Sequence, residues 1–218
     1  MRLLDEFRAE HELIERVAGS VVTFAERRAR GKSGPEDAAA FFGFFDVWAD
    51  GYHHAREEDT LFRALVAHAG LAEGRGPVAA LASQHAAMAA TLAELAPLLS
   101  AARAGAEDGA RAAALARGYA EALWHHIDAE NSVLLPESDR RLLSAGIVEL
   151  ASREPSDAER AARAEGERLV ALHPPDMDLG VIRGDGCAIC ASYGAGCEGL
   201  EREWWSETEW EEFERRSG

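Results

Sequence analysis

Trp124-His-His-Ile-Asp-Ala-Glu-Asn-Ser-Val-Leu-Leu-Pro136 places an imidazole, His126, four residues before a carboxylate, Glu130, in a segment whose other spacing is helical. On an α-helix, positions i and i+4 lie one above the other on one face, so both side chains reach one point beside the helix. A helix offers two ligands to a metal in this way. His53-His54-Ala-Arg-Glu57-Glu58-Asp-Thr-Leu-Phe62 repeats the arrangement earlier in the chain, and His11 and His85 stand alone in two other apolar-periodic segments.

Four amphipathic stretches surround these residues. Leu4, Phe7, His11, Ile14, Ala18, Val21 and Ala25 recur at three- and four-residue steps, and Arg27, Arg28 and Arg30 precede Gly31 and Gly34. Apolar recurrence and cations at the C-terminal end predict a first helix over residues 2–30. Pro35, Glu36 and Asp37 read as the start of a second, rich in aromatics and continuing to about Ala69. Val78, Leu81, His85, Met88, Leu92, Leu95 and Leu99 form a third stripe, with Pro97 placed to kink its end. After Gly109, a fourth helix carries Leu115, Tyr119, Leu123, His126, Glu130 and Val133 on one face, with Pro136 near its end. Short glycine-containing connections predict an all-α, antiparallel up-down-up-down four-helix bundle over residues 1–145. Residues 146–218 form a C-terminal extension. Ser156 and Glu159 predict a capping box opening a helix to about Leu172. Beyond it lie a glycine-rich segment with Cys187, Cys190 and Cys197, and a stretch holding Trp204, Trp205 and Trp210 that reads as a short helix docking on the bundle.

Composition narrows the functional classes. The 218 residues include 23 Lys+Arg against 39 Asp+Glu, a formal charge of −16 that repels phosphate backbones and argues against nucleic-acid binding. No apolar run is long enough for a bilayer, and the charged start lacks a signal-peptide core, so a cytoplasmic protein without membrane contact is expected. Three local cysteines are too few for a secreted disulfide framework.

In an antiparallel bundle, His11 and His85 lie near the starts of helices one and three, at the height of His53 and His126 toward the ends of helices two and four. Four inward imidazoles in one layer, two with a carboxylate a turn away, would each cost roughly 1–3 kcal/mol if buried without partners. A metal removes that cost. Imidazole with carboxylate suits iron, manganese or zinc, and the donors are too many for one tetrahedral zinc. They suit two metals with bridging carboxylates.

The order His11, His53 with Glu57, His85, His126 with Glu130 resembles the hemerythrin-like HHE cation-binding domain family. Leu61-Phe62-Arg63 and Leu134-Leu135-Pro136 stand at the offset of that family's Leu-Phe-Pro-like ending, with Arg63 in place of the proline. The resemblance covers residues 1 to about 145. It implies a non-haem centre of two iron ions that meets O₂, nitric oxide or peroxide in a redox, stress-response or sensing role, with His11, His53, His85 and His126 terminal and Glu57 and Glu130 bridging. Oxygen-carrying members have a second histidine one turn from that on helix three, where this chain has Leu81 and Ala89. With a ligand fewer, an open metal position is expected, as in the family's iron-cluster repair branch, which usually carries an N-terminal cysteine-containing extension; the residues before His11 here hold no cysteine. In helix two, two registers compete. Family offset selects His53 and Glu57, whereas plain periodicity places Val47, Gly51, His54, Glu58, Leu61 and Leu65 on the more apolar face. The first is preferred, leaving His54, like His125, to an outer or surface position.

Tyr119 reads as core, and His68 as a helix-end residue. Cys187, Cys190 and Cys197, with His173 or an acid, suit a zinc ion; a dithiol–disulfide pair and free thiols fit the spacing equally. The tail is also a candidate surface for a protein partner, which would make the chain a non-enzymatic iron or oxygen sensor.

Overall fold

The computed structural model describes residues 1–74, 76–102 and 105–178, which form five helices and no strand. Helix α1 (Arg2–Ala29) ends at Gly31, whose φ of 66° closes the turn that a residue with a Cβ would resist. Helix α2 runs continuously over residues 38–68, α3 over Gly76–Ser100, α4 over residues 106–144 and α5 over Asp157–Leu172. The start of α1 lies beside the end of α4, as the Trp124 indole donating to Glu15 O at 3.2 Å and the Arg117–Glu26 pair at 2.7 Å show. Gln84 against His126, and Glu94 against Arg111, give the same antiparallel relation between α3 and α4. The first four helices are therefore an up-down-up-down bundle.

Two of these helices are not uniformly α-helical. Phe44–His54 and Glu57–Phe62 in α2, and Glu130–Leu134 in α4, follow a π-helical i→i+5 ladder. The π form is rare and concentrates at functional sites. Here its segments carry His53, His54, Glu57 and Glu130.

Helix starts and stops depart from the sequence expectation in two places. Helix α2 begins at Ala38, because the Asp37 side chain does not cap it and instead accepts from Arg168 at 2.7 Å and His173 at 2.9 Å. Helix α4 passes through Pro136 to Ser144. The preceding π turn, where Leu135 N donates to Glu130 O, opens the ladder at the place where the proline ring would otherwise meet a carbonyl.

Buried apolar residues form two clusters. The larger joins Ile14, Val21, Phe41, Phe45, Leu95 and Leu123 with Leu169 of α5; the smaller joins Leu3, Phe7, Leu61, Leu65, Leu81 and Leu142. A layer of buried histidine and glutamate separates them.

The extension is part of this packing. Ser156 Oγ accepts from Glu159 N at 3.3 Å while Glu159 Oε2 accepts from Ser156 N at 2.6 Å, the reciprocal capping box anticipated from sequence. From that start α5 lies across α1 and α2. Gly166 permits the approach: a Cβ there would collide with the Phe44 ring. His173 is buried against Phe24 and Phe41 with its Nε2 on Asp37, so it fastens α5 to the head of α2. Cys187, Cys190, Cys197 and the three late tryptophans lie outside the described residues.

Candidate metal centre

Five imidazoles and two carboxylates converge in the layer between the two apolar clusters. His11, His53, Glu57 and Glu130 form one group, and His54, Glu57, His85 and His126 another; within each, ligand atoms lie within 4.8 Å of one another. Glu57 belongs to both. His11 Nε2 stands 3.2 Å from Glu130 Oε2 and 3.7 Å from Glu57 Oε1, His53 Nε2 lies 3.3 Å from Glu57 Oε1, and His126 Nε2 lies 3.4 Å from Glu130 Oε1. His85 Nε2 is 3.6 Å from Glu57 Oε2 and 3.0 Å from His126 Nε2.

The six residues expected from the sequence are thus brought together, and the choice between His53 and His54 disappears. Both enter the centre, one in each group. The expectation that His54 sits outside is corrected: it is buried and its ring stacks on His85 at 3.9 Å between centroids. The cause is the π ladder. Neighbours on an α-helix diverge by about 100°, whereas an i→i+5 ladder turns the chain less per residue and so narrows the angle between His53 and His54 enough for both to border the centre. His54 thus stands beside His85 and His126 in the second group, where α3 itself has no second histidine. Glu58 does not enter either group.

Every imidazole is held from behind. Glu10 of α1 accepts from His53 Nδ1 of α2 at 2.8 Å, Glu58 of α2 from His85 Nδ1 of α3 at 2.7 Å, Gln84 of α3 from His126 Nδ1 of α4 at 2.8 Å, and Asn131 of α4 from His11 Nδ1 of α1 at 2.9 Å. The four bonds close a ring around the bundle. Each holder is the chain neighbour of a donor on its own helix, preceding it on α1 and α3 and following it on α2 and α4. That alternation is a consequence of antiparallel packing, because a step along the chain turns in opposite senses on up and down helices. With Nδ1 tied outward, each of these imidazoles points Nε2 inward, the orientation in which histidine ligates metal. Asp50 stands more loosely behind His54, 3.5 Å from its Nδ1. Sequence reasoning missed these holders, although each polar neighbour of a candidate ligand was visible.

Five inward atoms, His11 Nε2 and the four carboxylate oxygens of Glu57 and Glu130, are buried and make no hydrogen bond among the described residues; only imidazole nitrogens face the carboxylates, at 3.2–3.7 Å. Two fully buried carboxylates with no other partner are costly unless a cation compensates them. The protonation pattern shows the same tension. Burial pushes the His11 imidazole down, but Glu130 and Glu57 raise it to about 10. Burial pushes Glu57 up, yet the charges of His53, His11 and His85 hold it below the carboxylate range. Glu130 is raised by burial and by the negative charge of Glu57. His54 falls to about 4 through burial and the nearby charge of His85, against the pull of Asp50, and burial with the same neighbour depresses His126. Imidazole and carboxylate oxygen as donors, orphaned and preoriented, fit divalent first-row metals.

His125 is half-buried beside the centre and His68 is exposed at the end of α2; neither joins a donor group. Tyr119 is buried in the main core, its ring 5.0 Å from Phe45, as expected.

Comparison with curated proteins and with solved structures gave no match. The hemerythrin HHE cation binding domain model matches residues 2–138, which spans the whole donor layer. With a match over more than half of its length and the buried His/Glu layer inside it, the chain belongs to the hemerythrin HHE cation-binding domain family.

Proposed function

We propose that the chain is a non-haem di-iron protein that binds or reacts with O₂, nitric oxide or peroxide, acting in a cytoplasmic redox or stress response. One ion would be held by His11 and His53, the other by His54, His85 and His126, with Glu57 and Glu130 between them. The observation that carries the reading is the set of orphaned carboxylate oxygens facing imidazoles whose Nδ1 atoms are tied outward. Iron there would polarise the oxidant and supply electrons, and the chain supplies orientation and exclusion of water. Leu61, Leu81, Phe7 and Leu134 seal one end of the layer; Phe45, Met88 and Leu123 stand at the other. Nucleic acid and membrane have no part in this reading, given the charge of −16 and the lack, among the described residues, of a helix long and apolar enough to cross a bilayer.

Elemental analysis of protein produced with iron, followed by optical spectra of the reduced protein before and after air, tests the proposal. Two irons per chain and a new ligand-to-metal absorption band in air are expected; metal-free protein from iron-rich cells would refute it.

A non-enzymatic sensor is the second reading, favoured by one contact path. Arg56, buried between the Phe7 and Tyr52 rings, donates to Glu10 at 2.6 Å and to Ser152 of the extension at 2.9 Å, while Glu10 holds His53. These contacts link His53 to the extension through Glu10 and Arg56, which supports a reading in which metal at His53 alters the extension. Metal-dependent protection of the C-terminal segment from protease, without consumption of peroxide or O₂, would favour this reading over the first, as would capture of a protein partner by the tail.

A further inference from the structure

A cavity of about 380 Å³ lies along the seam between α2 and α3, with His54 and His85 among its lining residues. A diatomic or peroxide needs little more than the roughly 30 Å³ that one water occupies in the liquid, whereas organic ligands occupy cavities of about 300–1,000 Å³. Phe42, Phe45, Met88, Leu92 and Tyr119 make its wall largely apolar. Asp46 and Asp50 line it as well, which disfavours organic anions in a chain already at −16.

Two further observations mark it as a kept space. Gly43 sits inside α2 with a helical φ of −60°, and a Cβ there would meet nothing within 4 Å. A glycine in mid-helix lowers helix stability relative to alanine, and neither a turn nor a close neighbour requires one here. Its missing side chain leaves the cavity open. Tyr119, 2% exposed as a residue, lines the cavity from α4 and brings a phenol to its otherwise largely apolar wall. It also lines a neighbouring cavity of about 280 Å³ that reaches Gln84 and His126.

We propose that the α2–α3 cavity binds a small neutral organic molecule with a terminal hydroxyl or hydroperoxide group. Its hydrocarbon body lies among Phe42, Phe45 and Leu92, its oxygen is directed to the His54 and His85 end, and the Tyr119 hydroxyl is available to it. This rests on the di-iron reading only at the inner end.

The test uses the full chain, loaded with diamagnetic zinc and labelled with ¹³C at the methionine methyls, of which Met88 lines the cavity while Met1 and Met177 do not. Benzyl alcohol should shift the Met88 signal saturably and leave the other two in place. Benzoate should bind at least tenfold more weakly. Gly43→Phe, which fills the cavity, should weaken benzyl alcohol binding at least tenfold, and Gly43→Ala, the control for folding, should change it less than threefold. A Met88 signal that moves no more than Met1 and Met177, or equal binding to Gly43→Phe, overturns the proposal. Metal content is measured separately on the same iron-grown variants. Benzyl alcohol binding in a chain that takes up no metal would sink the di-iron reading and leave the cavity standing; two irons without benzyl alcohol binding would do the reverse.

Discussion

The two donor groups share Glu57 but differ in their surroundings. His11 and His53 stand on the α1–α2 side, which the extension covers: α5 packs across both helices, and Ser152 reaches His53 through Arg56 and Glu10. His54, His85 and His126 stand on the α2–α3 and α3–α4 seams, where cavities lie on either side. Helix α3 contributes to this difference through its alanines, with Ala89, Ala93 and Ala96 along the first cavity. One side of the centre is therefore walled and cross-linked, and the other is reachable by small molecules. The contrast places cavities beside one donor group and the packed extension beside the other, on a bundle whose four helices contribute alike.

The largest test of this contrast removes what the groups share. Glu57→Ala should lower bound metal from two ions per chain to near background, read by elemental analysis, because both groups lose a donor. Retention of one ion in this variant would mean that the groups are independent.

Single-histidine variants should then separate the sides. His53→Ala and His54→Ala are each expected to lose about half the metal, since a site left with fewer donors binds first-row ions far more weakly. Azide titration distinguishes them: a spectral change that persists in His53→Ala and vanishes in His54→Ala locates exchange on the open side. The opposite result would reverse the comparison.

Effects of intermediate size belong to the ring of holders. Glu58→Ala frees His85 Nδ1, and Glu10→Ala frees His53 Nδ1 while leaving the buried Arg56 short of a partner. Each should weaken metal binding by about 10–100-fold, the usual cost of losing such a hydrogen bond. Only Glu10→Ala should also lower thermal stability, by about 1 kcal/mol, because the buried Arg56 keeps Glu6 and Ser152 but loses one of its two carboxylate partners.

The smallest effect concerns the wall itself. The Arg153 guanidinium and, beyond it, the Ser156 N–H hold the Glu159 carboxyl down to about 2 from an ordinary 4.5, against the opposing effect of burial. A depressed carboxyl contributes stability that is complete above the unfolded value and fades as pH falls toward the folded one. Hydrogen-exchange protection factors in α5, corrected for the intrinsic rate at each pH, should therefore fall between pH about 4.5 and about 2. Glu159→Gln should abolish that pH dependence and cost about 1 kcal/mol at neutral pH.

Much of the bundle was legible because burial imposes a period on each helix. Leu4, Phe7, Ile14 and Val21, or Leu81, Met88, Leu95 and Leu99, repeat at helical spacing whatever they pack against, and all eight are buried. The layer of His11, His53, His85 and His126 with Glu57 and Glu130 followed from the same period and from antiparallel direction. The path of α2 was not legible. Its 3.6-residue reading forced a choice between His53 and His54, because the π ladder over Phe44–Phe62 changes the period where the ligand pattern is densest. Pro136 misled for the same reason.

The sequence by itself determined helices, their direction and the composition of the polar layer, since these depend on local period and on side-chain chemistry. Tertiary structure alone decided that both histidines of the α2 pair face inward, that Glu10, Glu58, Gln84 and Asn131 form a closed ring, and that α5 walls one side. Each of these depends on how far one helix is turned relative to the next. That rotation is a property of packed neighbours and is not encoded in any single segment.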